Sequence, residues 1–162
     1  MDDDCAAIDS RRFREVCGQY ATGVAVVTAC CVEGRPKGVT VNSFTSVSLE
    51  PPLVQFSLDR KASIFPVFID ATHFAVNVLS SGQRALSSRF ALSSDAFEEV
   101  GYAAGGDGCP VLEGCLANLE CAKFAIYDGG DHVIILGRVR RLHCAPAREP
   151  LLFFRGSYGT FS

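Results

Sequence analysis

The chain has 162 residues, of which 48% are hydrophobic and 20% are charged, with a mean hydropathy of +0.21 and a net charge of −3 at pH 7. This length fits one domain, and the acidic balance excludes a general electrostatic attraction to nucleic acid or to an acidic membrane surface. The apolar composition favours a surface that is buried against a second copy of the chain, so we expect a homodimer that acts on small molecules.

The first nine residues, MDDDCAAID, form an acidic tail that we expect to be flexible, and residues 10–162 are expected to form the single domain. A signal peptide begins with positive charge, and a membrane span needs roughly 18 consecutive apolar residues; the sequence has neither. We therefore expect a cytoplasmic protein outside the membrane. Eight cysteines without a C-x-x-C pair, in a reducing compartment, are expected to be buried structural residues.

The first third of the chain shows one helical pattern followed by β-rich runs. Apolar residues recur at i, i+3, i+4 and i+7 and predict an amphipathic helix over 10–20, capped by Asp9 or Ser10. Runs rich in β-branched residues predict strands over 23–32, 39–50 and 53–58, separated by a turn over 33–38 and by Pro51 and Pro52.

The remaining chain continues with short helices and longer strands. A helix is predicted over 61–71, capped near Ser63, with Pro66 tolerated in its first turn. The next predicted elements are a strand over 73–80, a helix over 81–92, a further helical turn over 93–101 and a Gly-rich loop over 103–114. Two long strands are predicted over 116–127 and 132–144, with a hairpin turn at Asp128-Gly129-Gly130 and a last short strand over 151–154.

These elements predict a fold that is mainly β with short helices. About six or seven strands and three helices are joined mostly by turns too short for parallel crossovers. The expected architecture is therefore an antiparallel barrel decorated with helices.

Several common catalytic motifs are absent from the sequence. It contains no G-x-G-x-x-G, no phosphate-binding loop, no G-x-S-x-G and no H-E-x-x-H. The three histidines, His73, His132 and His143, are far apart, so a metal site has little support. We expect that no side chain acts as nucleophile and that a cofactor supplies the chemistry.

The stretch from Thr40 to Ser48 is unusually polar for a strand, since six of its nine residues are Thr, Ser or Asn. One interpretation is an edge strand whose hydroxyl groups face water. The other is a strand that lines a ligand rich in nitrogen and oxygen atoms. The residue pattern leaves both open.

Six blocks in the same order resemble the flavin reductase family of FMN-binding split barrels, which includes reductase components of two-component flavin-dependent monooxygenases. They are FREVCGQYATGVAVVTA, GRPKGVTVNSFTSVSLEPPLV, FAVNVLS, RFA, YDGGDHVIILGRV and PLLFFRGSYG, within residues 13–159. The resemblance implies a homodimeric, antiparallel six-stranded split β-barrel that reduces FMN or FAD with NADH or NADPH. Reduced flavin would then pass to a separate oxygenase. The alternative is a split barrel that binds flavin or haem without catalysis.

The resemblance also implies a set of flavin contacts. A helix start at Ser63 suits a phosphate, Arg89 suits a planar clamp, and an Asn amide with backbone groups suits the ring edge. The alternatives are a simple helix cap at Ser63 and a solvated Arg89; Val41 and Ile64 depart from residues common in relatives. The implied contacts are Thr40, Val41, Asn42, Ser43, Ser46, Ser57, Leu58, Ser63, Arg89 and Phe90.

For the nicotinamide nucleotide, the resemblance implies His132, Asp131, Arg155 and Tyr158. Hydride would pass from carbon 4 of the nicotinamide to nitrogen 5 of the flavin, and the protein would mainly orient the two rings. The alternatives are a histidine that bonds its own turn and a frayed C-terminus. The sequence does not distinguish FMN from FAD, NADH from NADPH, or a retained from a diffusing flavin.

Overall fold

The computed structural model describes residues 8–145 and 148–161, so most of the acidic tail predicted over 1–9 lies outside the described residues. Three short α-helices and one 3-10 turn are present in the described part. They are α1 (Ser10–Cys17), α2 (Phe65–Asp70), α3 (Arg84–Leu92) and the 3-10 turn Ser81–Gln83. No helix in the described ranges is long and apolar enough to cross a membrane.

Twelve strands are present among the described residues, and every pairing between them is antiparallel. They are β1 (Thr22–Gly23), β2 (Ala25–Cys30), β3 (Pro36–Val41), β4 (Thr45–Leu49), β5 (Pro52–Asp59), β6 (His73–Val78), β7 (Tyr102–Ala104), β8 (Pro110–Leu112), β9 (Ala117–Gly129), β10 (His132–Cys144), β11 (Leu151–Phe154) and β12 (Ser157–Thr160). Seven of them form the main sheet, in the order β3-β2-β6-β9-β10-β5-β4, while β1-β11-β12 and β7-β8 form two small sheets. The prediction of a mainly β, antiparallel fold with short helices is confirmed.

The helix boundaries follow local capping. The carboxylate of Asp9 accepts hydrogen bonds from the backbone N–H groups of Arg11 and Arg12 at 3.3 and 3.2 Å, which fixes the start of α1. This helix ends at Cys17, three residues before the predicted end. The prediction of a cap near Ser63 is wrong, because α2 begins at Phe65 after Ile64 and no side chain caps it.

Several predicted strands and loops are divided differently in the structure. The run 39–50 forms two strands, with a break over 42–44 between β3 and β4. The run 23–32 is interrupted between β1 and β2. The predicted Gly-rich loop 103–114 includes β8 and the last two residues of its partner β7, whereas 94–99 form turns in place of the predicted helical turn.

The β9–β10 hairpin has a shorter turn than predicted. His132 pairs with Gly129, so the turn consists of Gly130 and Asp131, and it is not centred on Asp128-Gly129-Gly130. Gly130 has a φ of +79°, a conformation that glycine adopts without steric cost. Arg60 holds the turn from outside, since its Nε donates to the Gly130 carbonyl at 3.0 Å and its guanidinium pairs with the Asp128 carboxylate.

The main core packs residues of the seven-stranded sheet against α2. Phe56, Phe68 and Phe74 form an edge-to-face cluster with ring centroids 5.3 to 6.5 Å apart. Gly137 lies against this cluster, because a Cβ there would stand 2.4 Å from the Phe74 ring. A second core, which includes Phe90 and Leu151, lies between α3 and the small β1-β11-β12 sheet.

The cysteines are only partly buried. Cys109, Cys115 and Cys121 lie in the interior, in agreement with the prediction of structural residues. Cys17 and Cys144 are exposed, so the same prediction is wrong for those two. Burial raises the pKa of the Cys109 and Cys121 thiols to about 12, which makes them poor nucleophiles at neutral pH.

Candidate functional site

The polar segment Thr40–Ser43 lies where β3 leaves its partner strand. The pairing of β3 with β2 ends at Val41, which lies opposite Ala25. Asn42 and Ser43 follow outside the strand ladders, and their backbone N–H groups take part in none of the turn and loop hydrogen bonds among the described residues. This end of β3 therefore presents unpaired backbone donors beside short polar side chains.

Ser43 connects this segment to β5. Its Oγ accepts a hydrogen bond from the backbone N–H of Ser57 at 2.9 Å and donates to the Ser57 carbonyl at 3.3 Å. In the order of the main sheet, β3 is one edge and β5 is next to the other edge. The Ser43–Ser57 contact thus brings opposite sides of the sheet together at the site.

A cavity of about 240 Å³, which we call the strand-end cavity, opens between these two strands. His132 reaches it because β10 pairs with β5, and this pairing places His132 opposite Asp59 and Val133 opposite Leu58. The lining residues are Val39, Thr40, Val41, Asn42, Ser43, Ser57, Leu58, Asp59, Ala62 and His132. Seven of the ten were predicted from the sequence as ligand contacts.

His132 has a defined partner at the mouth of the hairpin. Its Nδ1 lies 2.7 Å from Oδ1 of Asp131, and the hydrogen bond and charge of His132 lower the pKa of that carboxyl group. Asp131 is therefore ionised at neutral pH and can only accept a hydrogen bond, so Nδ1 must carry the proton. The other nitrogen, Nε2, is consequently an acceptor while the imidazole is neutral.

A second cavity of about 200 Å³, the aromatic cavity, shares Thr40, Val41 and Asn42 with the first. Its other lining residues are Val24, Ala91, Phe153 and Tyr158. The hydroxyl groups of Tyr158 and Ser87 are 2.9 Å apart, and Thr40 Oγ1 donates to the Ser87 carbonyl at 2.7 Å. This chain of contacts fixes β12 and α3 to the end of β3.

Beyond Phe153, two adjoining cavities of about 360 and 340 Å³ form what we call the arginine groove. The first of them also includes Asn42, so the groove continues the same surface. Its lining residues are Arg11, Arg14, Glu15, Cys17, Gly18, Gln19, Tyr20, Thr22, Asn42, Phe153, Arg155 and Gly156. Arg155 therefore lies here and not in the strand-end cavity with His132.

Four of the predicted flavin contacts line none of these cavities. Ser46 is an exposed residue of β4 opposite Val54. Ser63 is exposed in the turn before α2, and Arg89 is exposed with its Nη2 donating to the Glu98 carbonyl at 2.6 Å. Phe90 is 2% exposed and packs in the second core.

Six residues that line the strand-end and aromatic cavities were not predicted from the sequence: Val24, Val39, Asp59, Ala62, Ala91 and Phe153. Asp59 and Ala62 adjoin the predicted Ser57–Leu58 pair, so extending that stretch by a few positions would have included them. Phe153 and Ala91 give no such signal, because they reach the site through packing between elements that are distant in sequence.

A further cavity of about 230 Å³ lies away from the predicted ligand contacts. It is lined by Cys30, Cys31, Val32, Asp70, Ala71, Thr72, His73, Asp107, Gly108 and Cys109. Within the described ranges, His, Cys, Asp and Glu side chains nowhere form a group of three or more that could hold a metal ion.

Comparison with known proteins supports a specific family. Residues 17–162 match the family model described as a flavin reductase like domain. The chain is 47% identical over 154 residues to the FMN reductase (NADH) SmoA of Agrobacterium fabrum, which covers 95% of this chain and 87% of that protein. It is 39% identical to the reductase subunit HsaB of a flavin-dependent monooxygenase from Rhodococcus jostii, over 94% of this chain and 78% of that protein.

The fold also resembles a solved structure closely. The NADH:FAD oxidoreductase SgcE6 of Streptomyces globisporus, in complex with NAD and FAD fragments, superposes with a TM-score of 0.90. The two chains are 42% identical, and the match covers 95% of this chain and 93% of the other.

Proposed function

The chain belongs to the family of flavin reductase like domains, and on this premise we propose that it is an NADH:flavin oxidoreductase that supplies reduced flavin to a separate monooxygenase component. Relatives named as FMN reductase (NADH), NADH-dependent FAD reductase and monooxygenase reductase subunit support this function. The observation that carries the proposal within this structure is the strand-end cavity, which unites Thr40–Ser43, Ser57–Leu58 and His132.

The residues of this cavity fit a flavin. The edge of a flavin ring carries both acceptors and a donor, and the unpaired N–H groups of Asn42 and Ser43 with the exposed Asn42 amide can match such an edge. Val41 and Leu58 supply apolar surface for the ring. We therefore assign the flavin contacts to Thr40, Val41, Asn42, Ser43, Ser57 and Leu58.

A flavin held by these residues would supply the acceptor for the hydride that NADH carries. The chain itself orients the two ligands, which replaces much of the entropic cost of bringing two rings together. Ser43 holds the β3 end against β5, and the Tyr158–Ser87–Thr40 contacts hold it against α3. In this mechanism no side chain serves as nucleophile.

His132 is the proposed nicotinamide contact, and its hydrogen bond to Asp131 defines which group it can bind. Because neutral Nε2 is an acceptor, it suits the NH₂ of the nicotinamide carboxamide and does not suit a phosphate oxygen. Only a protonated imidazole could donate from Nε2 to a phosphate. We therefore propose the carboxamide as the partner of the neutral His132 imidazole.

We further propose that the main sheet closes into a six-stranded split barrel formed by β2, β3, β5, β6, β9 and β10. The Ser43–Ser57 contact between distant members of the sheet supports this closure, as does one core cluster that draws on all six strands. A homodimer is supported by α1, since none of its residues is buried and Phe13 and Val16 are 58% and 55% exposed. Sedimentation velocity would measure the oligomeric state, and a monomer at micromolar concentration would refute the dimer.

Turnover with defined cofactors tests the function. Purified protein with NADH and excess FMN or FAD is expected to oxidise NADH catalytically, measured as loss of absorbance at 340 nm. The absence of turnover with FMN and FAD, each with NADH and NADPH, would refute the reductase proposal. Retained flavin without turnover would instead support a binding protein.

A further inference from the structure

Arg60 lies in a tight turn in the wall of the strand-end cavity. β5 ends at Asp59, whose Oδ1 accepts a hydrogen bond from the backbone N–H of Lys61 at 2.8 Å and whose carbonyl accepts one from Ala62 at 3.1 Å. Leu58, Asp59 and Ala62 line the cavity, so both ends of this turn belong to the proposed flavin site. The backbone of Arg60 is therefore held in place by residues of that site.

From this turn Arg60 makes three hydrogen bonds to the tip of the β9–β10 hairpin, which we define as residues 128–131. Its backbone N–H donates to the Asp131 carbonyl at 3.0 Å, and its Nε donates to the Gly130 carbonyl at 3.0 Å. Its Nη2 donates to Oδ1 of Asp128. A guanidinium group is planar and bonds in several directions from one rigid plane, so Arg60 holds the tip at more than one point.

The tip has few other restraints. All four of its residues are exposed, and Gly130 lacks the side chain that limits backbone motion elsewhere. Within the described residues, the hydrogen bonds that the tip receives from outside its own hairpin all come from Arg60. The tip leads directly into His132, which pairs with Asp59 of β5. Arg60 therefore restrains the segment that carries the proposed nicotinamide contact.

Stability alone does not account for these contacts. The side chains of Arg60 and Asp128 are 42% and 80% exposed, and ion pairs in such positions contribute little to the free energy of folding. Their effect on orientation is larger, because the carboxylate of Asp131 lies 2.7 Å from Nδ1 of His132. A displacement of the tip would displace the imidazole with it.

We infer that Arg60 is a positioning residue for the nicotinamide nucleotide. It ties the Asp131–His132 pair to the turn that lines the flavin cavity, and so keeps Nε2 of His132 at a set place relative to the flavin site. Arg60 lines none of the cavities described above, so it acts through His132. This role rests on the proposed function, because it takes His132 as the nicotinamide contact.

Mobility of the tip tests this restraint without any ligand. Arg60→Gln keeps the backbone bond to Asp131 and removes the two side-chain bonds. In NMR relaxation measurements, the order parameters of the backbone amides at 129–131 should fall from the range of rigid backbone, about 0.85, to below about 0.6.

The matched control is Lys61→Gln, which removes the same charge from the next position. The Lys61 side chain takes part in none of the hydrogen bonds or ion pairs among the described residues, so the order parameters should stay at the wild-type values. Unchanged order parameters in Arg60→Gln, or an equal decrease in both variants, would overturn the inference.

Steady-state kinetics tests the consequence for the reaction. Arg60→Gln should raise KM for NADH roughly two- to tenfold, since at most the net value of one hydrogen bond to His132 is lost. The Kd of FMN, measured by fluorescence titration, should stay within about twofold of the wild-type value. Lys61→Gln should leave KM for NADH unchanged. An unchanged KM for NADH in an active Arg60→Gln enzyme would contradict the positioning role.

Two other roles of Arg60 give different results. A purely structural role would lower Tm and raise the Kd of FMN together with KM for NADH. Direct contact with the flavin phosphate would raise the Kd of FMN and leave that of riboflavin unchanged. Either pattern counts against the positioning role. Failure of the wild type to oxidise NADH with any flavin would refute the proposed function, whereas the order parameters would still show whether Arg60 restrains the tip.

Discussion

Replacing Asp131 by Asn tests the role assigned to His132, because the side chain keeps its size and the imidazole stays in place. In the wild type the ionised carboxylate, 2.7 Å from Nδ1, keeps the proton on that nitrogen. An Asn amide can instead donate its NH₂ to Nδ1, which moves the proton to Nε2. The free nitrogen then changes from an acceptor to a donor and loses its bond to the carboxamide NH₂.

The expected loss is that of one neutral hydrogen bond in a half-exposed site. Such a bond has a net value of roughly 0.5–1.5 kcal/mol, so KM for NADH should rise roughly two- to tenfold. Asp131 lines none of the cavities, so flavin affinity should stay unchanged. The hydrogen bond and charge of His132 lower the pKa of the Asp131 carboxyl group, so the wild-type carboxylate stays ionised throughout a kinetic assay at neutral pH.

Steady-state kinetics with two hydride donors gives the decisive comparison. Reduced nicotinic acid adenine dinucleotide has a carboxylate in place of the carboxamide, so the wild type should strongly prefer NADH. In Asp131→Asn this preference should shrink, because Nε2–H can donate to the carboxylate. The control is Asp128→Asn, which disturbs the same turn through Arg60 without contacting the imidazole. Equal kinetic effects of the two variants, with an unchanged donor preference, would refute the tautomer argument.

Three further predictions concern stability. Gly137→Ala should lower the free energy of unfolding by about 1–3 kcal/mol in urea titrations, because its Cβ would meet the Phe74 ring at 2.4 Å; an unchanged midpoint would contradict this packing. Asn77→Ala should lower the free energy of unfolding by about 3 kcal/mol or more, because the buried amide makes four hydrogen bonds. Its Nδ2 donates at 2.9 and 3.0 Å, and its Oδ1 accepts at 2.9 and 2.8 Å. A decrease below about 1 kcal/mol would contradict a structural role for these bonds. The folded-state pKa of Cys109 and Cys121 is raised from 9.0 to about 12, so the stabilisation from their protonated thiols is complete below pH 9 and is lost as the pH rises toward 12. The loss should approach about 1.4 kcal/mol per thiol per pH unit, and replacing both residues by Ala should flatten this alkaline slope in unfolding titrations.

The elements with strong local signals were predictable from the sequence. Asp9 precedes an apolar i, i+3, i+4 pattern and does cap α1, and the long β-rich run after the hairpin begins at His132 and ends at Cys144 as predicted. Alternation over many residues fixes such strands, because a shift of one position would turn every buried side chain outward.

Elements that depend on distant contacts could not be predicted in the same way. The pair β7–β8 lies in a Gly-rich stretch with three residues in each strand, too few to show a period. Ser63 has the chemistry of a helix cap, but α2 begins two residues later, where Pro66 suits the first turn. Short elements of this kind are decided by packing on the main sheet and not by propensity.

The candidate site was predictable where its residues are contiguous in sequence. Thr40–Ser43 and Ser57–Leu58, which the family resemblance implied as flavin contacts, line one cavity. Ser46 does not, because it lies in β4 opposite Val54, three positions further along the chain than Ser43, where its side chain is exposed. Phe90 turns inward, since Gly38 has no side chain and leaves room for its ring at a distance of 2.8 Å from where a Cβ would stand. Neither this strand pairing nor this packing has a local signature.

The polar side chains at the end of β3 fall into two groups. Some bond to the protein and hold the strand in place, and one has no partner among the described residues. Thr40 Oγ1 is bonded to the Ser87 carbonyl and Ser43 Oγ to the backbone of Ser57, so both hydroxyl groups hold the strand in place. The amide of Asn42 takes part in none of the side-chain hydrogen bonds among the described residues, and this residue lines all three adjoining cavities. The hydroxyl groups therefore orient the backbone at the proposed flavin site, whereas the Asn42 amide remains available to contact a ligand. A segment built in this way satisfies its hydroxyl groups within the protein and leaves the Asn42 amide, with the unpaired N–H groups of Asn42 and Ser43, for the polar edge of the proposed flavin.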